Sequence, residues 1–146
     1  MEKTVSRYRL QVQRSAIHKR GVFALEAIPR NRRVIEYTGA RLRYGEVVRR
    51  QRRLMRMGKP PHVYFAWLGQ GWAIDGAAGG NGAQFINHCC DPNLDVRRIR
   101  GHILFFSKRR IRSGDELTID YKYDKAERAT RCRCGSPKCR GTINLK

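Results

Sequence analysis

The chain has 146 residues, a length typical of one domain that buries a core without disulfide bonds. Its 32 lysine and arginine residues outnumber 12 acidic ones, and the formal net charge of +20 favours contact with a polyanion, nucleic acid before an anionic membrane surface. The longest apolar runs have about six residues, far fewer than the roughly 20 that a spanning helix needs, so we expect no membrane protein.

Short strands separated by turn residues are predicted along most of the chain. Gly69-Gln70-Gly71 and Arg100-Gly101 have the composition of hairpin connections, so each should join two neighbouring strands. Together the segments predict a mostly-β fold of small sheets. The predicted strands are 32–37, 63–68, 72–75, 95–99, 102–107 and 116–121.

One helix is predicted from Tyr44 onwards, because apolar residues recur there at a spacing of three to four, and Gly58 followed by two prolines ends the pattern. The opposite face carries five arginines. That face is either a solvated surface or a contact surface for an anionic partner, and the sequence favours neither. The apolar residues are Val47, Val48, Leu54 and Met55, and the arginines are Arg49, Arg50, Arg52, Arg53 and Arg56.

Five cysteines lie in two short segments, "NHCC" at 87–90 and "CRCGSPKC" at 132–139. An odd number of thiols without a signal-peptide core indicates a reducing compartment, where clustered cysteines hold metal more often than they form disulfides. We therefore expect an intracellular protein, located in the nucleus if the host is eukaryotic and in the cytoplasm if it is bacterial.

The second cysteine segment predicts a structural zinc site. Cys132, Cys134 and Cys139 supply three thiolates around a Gly-Ser-Pro turn, whereas such a site needs four tetrahedral ligands. His88, Cys89 and Cys90 are the candidates for the fourth ligand, because the remaining histidines have no neighbouring ligand residue. Free reduced cysteines are the alternative.

Four segments, in chain order, resemble the SET-domain protein-lysine methyltransferases. They are "IHKRGVFAL" (17–25), "IEYTGA" (35–40), "GNGAQFINHCCDPNL" (80–94) with "ELTIDYKY" (116–123), and "CRCGSPKCRG" (132–141). The resemblance implies a mostly-β (α+β) SET-domain fold of small curved sheets with one insert helix and a C-terminal pseudoknot, in which the C-terminal segment threads under a preceding loop. It also implies a SET domain over residues 8–125 and a post-SET zinc-binding segment over residues 126–146.

The resemblance further implies methyl transfer from S-adenosylmethionine to the ε-amine of a protein lysine, most simply in histones or another nucleic-acid-associated protein. Tyr121 matches the catalytic tyrosine. Cys90 matches the zinc ligand, and Cys89 stands where the family usually has serine, although the spacing also allows Cys89 as the ligand. The implied cofactor-binding residues are His18, Arg20, Gly21, Tyr64, Asn87 and His88, and the implied zinc ligands are Cys90, Cys132, Cys134 and Cys139.

Two residues depart from the family pattern. Lys19 replaces the first glycine of the usual Gly-x-Gly and adds a positive charge beside a cationic cofactor, so we expect weakened binding that survives. Ile119 stands where the family usually carries Phe or Tyr, and because an aliphatic side chain leaves more room, we expect di- or trimethylation.

The net charge conflicts with a free basic substrate, because a chain of +20 repels histone-like tails. We therefore expect the substrate lysine to be presented on a nucleoprotein particle, with DNA or RNA contacting the basic surface. The alternative function is a non-catalytic, zinc-stapled nucleic-acid-binding module with a SET-like fold. A second basic stretch joins the helix arginines in this interpretation: Arg97, Arg98, Arg100, Lys108, Arg109, Arg110 and Arg112.

Overall fold

The computed structural model describes residues 6–60 and 64–146. Within them the chain forms short strands, one α-helix and one short 3-10 helix (Ala83–Phe85), which confirms a mostly-β fold of small sheets with one helix. In chain order the other elements are β1 (Leu10–Arg14), β2 (Arg20–Ala24), β3 (Arg33–Glu36), β4 (Ala40–Arg43), α1 (Tyr44–Arg56), β5 (Phe65–Gly69), β6 (Trp72–Asp75), β7 (Asn87–His88), β8 (Leu94–Ile99), β9 (His102–Ser107) and β10 (Glu116–Ile119).

Three sheets make up the fold, with strand orders β1-β2-β10-β7, β3-β9-β8 and β4-β6-β5. Strand β10 lies between β2 and β7, antiparallel to the first and parallel to the second. In the parallel register Thr118 is opposite Asn87 and Ile119 is opposite His88. The insertion of β10 therefore brings the segment that leads to Tyr121 beside a segment about thirty residues earlier in the chain.

Both predicted hairpins are present. Arg100 and Gly101 have φ angles of 48° and 77°, and a two-residue turn with positive φ at both positions matches the right-handed twist of strands β8 and β9. Gly69, Gln70 and Gly71 all have positive φ between β5 and β6. The two turns lie close together, because residues of both line the same concavity.

A single apolar core reaches all three sheets. Phe105 and Ile103 enter it from β9, Leu117 from β10 and Ile74 from β6, and each is at most 3% exposed. Burying a side chain of this size contributes about 1.5–3 kcal/mol to stability. The core therefore fixes the three sheets relative to one another and holds β10 in place.

Helix α1 packs one residue, Val47, fully against the rest of the protein. The buried face of the helix is narrower than the apolar face that the sequence predicts, because Met55 is 70% exposed. Gly58, with φ of 66°, follows the end of the helix, as the pattern predicts. Among the described residues, none of the helices has the length and apolarity to cross a membrane.

Residues 126–146, called the tail here, contain isolated bridges and no strand or helix. Asn144 is the polar centre of the tail. Its Oδ1 accepts hydrogen bonds from the backbone N–H of Thr130 (2.9 Å) and the hydroxyl of Thr142 (3.0 Å), and its Nδ2 donates to the Asp124 carbonyl (2.9 Å). This buried amide joins both ends of the tail to the segment that follows β10.

Candidate active site and metal centre

Tyr121 lies just after β10 and is held from two directions. Its hydroxyl donates to the carbonyl oxygen of Ile86 (2.8 Å), and its backbone N–H donates to Nδ1 of His88 (3.0 Å). Burial, followed by the neighbouring Tyr123, raises the pKa of Tyr121 above its usual value near 10. The phenol is therefore neutral at physiological pH and its oxygen keeps two lone pairs that can accept.

A cleft of about 680 Å³ opens beside Tyr121, within the size range of small-molecule and peptide-side-chain pockets. Ile86, Ile103 and Phe105 form its apolar wall, and Ile119 lines it next to Tyr121. Four of its lining residues are acidic, whereas three are basic, although the whole chain carries +20. The acidic residues are Asp95, Asp120, Asp124 and Glu127; the basic ones are Arg98, Lys108 and Lys122.

Asn87 ties the first cofactor segment to β7. Its buried side-chain amide lies within donating distance of the carbonyl oxygens of His18 (3.2 Å) and Arg20 (2.9 Å), and of the Glu116 carboxylate (2.8 Å). These contacts bring together three of the residues that the resemblance implies for cofactor binding. The side chain of Asn87 is thus engaged by the protein itself, and it positions the backbone between β1 and β2.

Glu116 is a site residue that the sequence analysis missed. Its carboxylate accepts from the hydroxyl of Ser15 (2.8 Å) as well as from Asn87, and a Cβ atom on residue 21 would overlap it. Gly21 therefore permits close approach by Glu116, in addition to any approach by a ligand. No local pattern marks Glu116, because its partners lie up to 101 residues away in the chain.

Tyr64 and Arg20 meet through Phe85, a second residue that the sequence analysis did not single out. The Arg20 guanidinium lies 4.1 Å from the centre of the Phe85 ring, and the Tyr64 ring packs edge-on against Phe85 with centroids 5.7 Å apart. The Tyr37 hydroxyl donates to the Tyr64 carbonyl (2.6 Å). All six implied cofactor residues are thus brought together around β7 and Phe85.

The four expected zinc ligands converge. The sulfur atoms of Cys90, Cys132, Cys134 and Cys139 all lie within 4.8 Å of one another, and those of Cys90 and Cys132 are 3.7 Å apart. Tetrahedral zinc with bonds of about 2.3 Å places its sulfur ligands roughly 3.8 Å apart, so this cluster fits the ion. Hydrogen bonds lower the pKa of Cys134 to about 6 against the opposing effect of burial, because backbone groups of Cys90 and Ser136 and the neighbouring thiols favour its thiolate.

Cys89 is not among the four cysteines whose sulfur atoms converge, although its thiol lies close enough to interact with Cys134. Its thiol donates to the Asp91 carbonyl (3.4 Å), and burial raises its pKa to about 11. Such a buried, protonated thiol behaves as a small apolar side chain. The geometry therefore favours Cys90 over Cys89 as the fourth ligand.

His88 and the ion pair Asp120–Arg140 link the cluster to Tyr121. Because Nδ1 of His88 accepts from the Tyr121 backbone, its Nε2 carries the proton and faces the Cys90 sulfur at 3.4 Å. Arg140 donates to both carboxylate oxygens of Asp120 (2.8 and 3.1 Å), the residue that precedes Tyr121. The tail is thereby connected to the segment around Tyr121 in two ways, through His88 at the cysteine cluster and through the ion pair.

Comparison with known proteins agrees with this geometry. The SET domain family matches residues 19–122. A Saccharomyces cerevisiae protein named histone-lysine N-methyltransferase, H3 lysine-4 specific, is 37% identical over 138 residues, which cover 90% of this chain and 13% of that protein. Dictyostelium discoideum histone-lysine N-methyltransferase set1 is 38% identical over 94% of this chain and 10% of its own length.

Human histone-lysine N-methyltransferase 2B is 38% identical over 148 residues, covering 97% of this chain and 5% of that protein. The chain therefore spans about a tenth, or less, of the length of these relatives. Their similarity extends beyond the family match at 19–122 into the cysteine-bearing tail. The chain belongs to the SET-domain family.

Proposed function

We propose that this protein transfers methyl groups from S-adenosylmethionine to the ε-amine of a histone lysine. The observation that carries the proposal is the neutral Tyr121 hydroxyl, bonded to the Ile86 carbonyl at the wall of a cleft whose lining is far less positive than the chain as a whole. The relatives are named as histone-lysine N-methyltransferases, and the Saccharomyces cerevisiae one is named as specific for lysine 4 of histone H3. In a eukaryotic host the reaction would take place in the nucleus, where histones are found.

Tyr121 would act by orientation. Because its hydroxyl donates to Ile86, the oxygen lone pairs are left to accept a hydrogen bond from the incoming amine and to face the polarised methyl group. A phenol with a raised pKa does not remove the proton of a lysine ammonium, whose pKa is about 10.4 in water. Desolvation between Ile86, Ile119 and Phe105 lowers the lysine pKa instead, so the amine loses its proton to solvent as it enters.

Cofactor binding is proposed for the cradle around β7: His18, Arg20, Gly21, Tyr64, Asn87 and His88. S-adenosylmethionine, when bound, supplies the electrophilic methyl group. Asn87 positions the carbonyl oxygens of His18 and Arg20, and Phe85 orients Arg20 and Tyr64. Fixing these groups beforehand lowers the entropic cost of holding donor and acceptor in line.

Zinc is the metal we infer for the four-cysteine cluster, with Cys90, Cys132, Cys134 and Cys139 as its ligands. The proposed domain organisation follows from this site. We place a SET domain over residues 8–125 and a post-SET segment over 126–146, which the metal would fasten and which a bridge between Tyr123 and Asn144 joins to the domain. Its role is structural, because all four ligand positions are occupied by protein sulfur.

The mixed charge of the cleft reconciles a basic substrate with a chain of +20. Its lining has four acidic and three basic residues, so a basic peptide meets much less positive charge there than on the chain as a whole. The excess positive charge lies elsewhere and is available to nucleic acid. We therefore propose a histone held on DNA, with RNA-bound basic proteins as the less supported case.

Ile119 bears on the number of methyl groups transferred. It lines the cleft next to Tyr121, and an aliphatic side chain leaves space that an aromatic ring would occupy. We propose di- or trimethylation as the product, and mass spectrometry of the substrate at saturation tests it. Only monomethyl-lysine from the wild type, or the same product pattern from Ile119→Tyr, would contradict the proposal.

The decisive experiment measures methyl transfer from labelled S-adenosylmethionine to nucleosomes, core histones and histone peptides, with Tyr121→Phe beside the wild type. Loss of the hydroxyl should lower turnover by at least about 100-fold, the scale of a single preorganised polar group in an active site. Tyr123→Phe is the matched control, because its ring packs 5.7 Å from that of Tyr121. Equal labelling by wild type and Tyr121→Phe would refute the role of Tyr121.

The competing function is a zinc-stapled nucleic-acid-binding module without catalysis. The grouping of the proposed cofactor residues around β7 supports the enzyme, and thermal stabilisation separates the two. A ligand that binds only the folded state at 100 times its Kd adds about 2.7 kcal/mol of stability. A folded, zinc-loaded protein that gains none from S-adenosylmethionine and labels no protein would favour the binding module.

A further inference from the structure

A second concavity, of about 560 Å³, lies where the β5–β6 turn, the β8–β9 turn and strand β4 meet. We call it the arginine pocket. Arg41, Arg98 and Arg100 line it together with Leu68, Gln70 and Trp72, and none of its lining residues is acidic. It is separate from the cofactor cradle and from the cysteine cluster, and it adjoins the cleft through Arg98, which lines both.

Two of these arginines are fixed in position by backbone carbonyls. Arg41 Nη2 donates to the Gly101 carbonyl and Arg98 Nε donates to the Trp67 carbonyl, both at 2.6 Å. Within the part of the chain that the structure describes, none of the three arginines forms an ion pair. Each guanidinium therefore keeps most of its five donors and its full charge for a ligand.

The arginines of helix α1 differ from those of the arginine pocket. Arg49 and Arg50 both donate to the Glu46 carboxylate, and Arg50 also reaches Asp75. Part of the helix charge is thus neutralised internally, and its arginines spread along an open surface instead of converging. The pocket, and not the helix, has the geometry of an anion site.

Aromatic rings flank the pocket. The Arg43 guanidinium stacks 4.0 Å from the centre of the Trp72 ring. Tyr44 and Trp67, with ring centroids 5.4 Å apart, are 56% and 45% exposed. Exposed aromatic rings beside unpaired arginines are the combination that nucleic-acid-binding surfaces present to sugars, bases and phosphates.

We propose that the arginine pocket binds the phosphate backbone of nucleic acid and thereby holds a DNA-associated substrate against the neighbouring cleft. Three arginines line one pocket, and the planar guanidinium of each can donate two parallel hydrogen bonds to phosphate oxygens. The flanking rings and Arg43 extend the contact along the chain of a polymer, beyond a single phosphate. The proposal deepens the nucleic-acid contact of the proposed function, but binding is measured without cofactor or methyl transfer.

The test uses fluorescence anisotropy of a labelled DNA duplex of about 20 base pairs, titrated with zinc-loaded protein across a range of salt concentrations. The variants are Arg41→Gln, Arg100→Gln and the double variant. Removing one phosphate contact should reduce the salt slope by about 0.9 and weaken binding by up to roughly eightfold at 0.1 M salt. Arg41→Lys, which keeps the charge, should recover part of the loss.

Arg52→Gln, Arg53→Gln and their double variant on α1 are the controls, because they remove the same charge from exposed arginines outside the pocket. We expect the pocket double variant to lose at least fivefold more affinity than the helix double variant. Equal losses would show that binding depends on diffuse charge and would overturn the proposal. Displacement of the duplex by inorganic pyrophosphate at equal phosphate concentration would also overturn it, since a small-phosphate site would then explain the pocket.

Discussion

The body of the domain (residues 8–125) and the tail (126–146) are held together by different interactions. The body buries a continuous apolar core that reaches three sheets. The tail has two buried residues, Cys132 and Asn144, and neither is a large apolar side chain. The tail therefore relies on one polar amide, two ion pairs to the body and the cysteine cluster, and its stability is conditional on metal in a way that the body's is not.

This difference matters for the active site because the two regions share it. Cys90, His88 and Tyr121 belong to the body, while Cys132 and Arg140 approach them from the tail. A rigid core positions Tyr121, and a separately fastened segment packs beside it. We expect the tail to open without unfolding the body, and the following predictions test that separation, from the largest effect to the smallest.

Loss of a zinc ligand should have the largest effect, because structural zinc contributes about 10–16 kcal/mol of apparent binding free energy. Cys90→Ser should abolish stoichiometric zinc and expose the tail to protease, while the body remains folded. Cys89→Ser is the matched control, since its sulfur is not among the four that converge and its thiol donates to the Asp91 carbonyl. Zinc content by elemental analysis, combined with limited proteolysis, measures both outcomes.

The reverse assignment would be supported if Cys89→Ser lost zinc and Cys90→Ser kept it. Global unfolding of Cys90→Ser at room temperature would contradict the independence of body and tail.

Truncating a side chain in the apolar core should destabilise the body, and the tail should unfold together with it. Phe105→Ala removes a ring that is 2% exposed and should lower the free energy of unfolding by about 3–5 kcal/mol. Phe106→Ala is the comparison on the same strand, because that ring lies partly exposed under the Arg97 guanidinium. Urea denaturation of the zinc-loaded proteins measures the difference, and equal losses would contradict the position assigned to the core.

The ion pair Asp120–Arg140 should couple tail and body by about 1.5–3 kcal/mol, the range for hydrogen bonds to charged groups, because both side chains are at most 20% exposed. A double-mutant cycle with Asp120→Asn and Arg140→Gln isolates this coupling. Asp91–Lys138 also joins body and tail, at 3.9 Å with Lys138 77% exposed, and should contribute less than about 1 kcal/mol. Similar coupling free energies in both cycles would show that burial and bidentate geometry do not strengthen the Asp120–Arg140 pair.

Local chemistry accounts for what the sequence predicts well. Arg100-Gly101 and Gly69-Gln70-Gly71 mark hairpins because their glycines adopt positive φ angles at little cost, whereas few other residues do. Strand β1 was not predicted, because four of its five residues are exposed. The alternation of apolar and polar residues in its sequence therefore does not follow burial. Strand β7, with two residues, is too short for any pattern and exists through its pairing with β10.

The residues of the candidate site also fall into those that the sequence reveals and those that only the fold reveals. Motif positions such as Tyr121 and Cys90 are visible in the sequence because their residue types and spacing are specific. Glu116 and Phe85 are not, since each acts through partners that only the fold brings near. The arginine pocket is intermediate: its charge is evident in the sequence, whereas the pocket itself forms only where two turns and strand β4, from two sheets, meet.

Lys19 offers the smallest and most selective prediction. It adopts a φ of 38°, in the left-handed region where a side chain costs about 1–2 kcal/mol, so Lys19→Gly should stabilise the body by about 1 kcal/mol. Gln70→Gly, at a φ of 52° in a hairpin turn, should give a similar gain in urea denaturation. Only Lys19→Gly removes a charge beside the proposed cradle, so this variant alone should bind S-adenosylmethionine more tightly. The expected gain in binding free energy is about 0.2–1 kcal/mol, the range measured for pairs of exposed charges. Calorimetric titration that found equal affinities in both variants would remove Lys19 from the cofactor's surroundings and leave backbone strain as its sole effect.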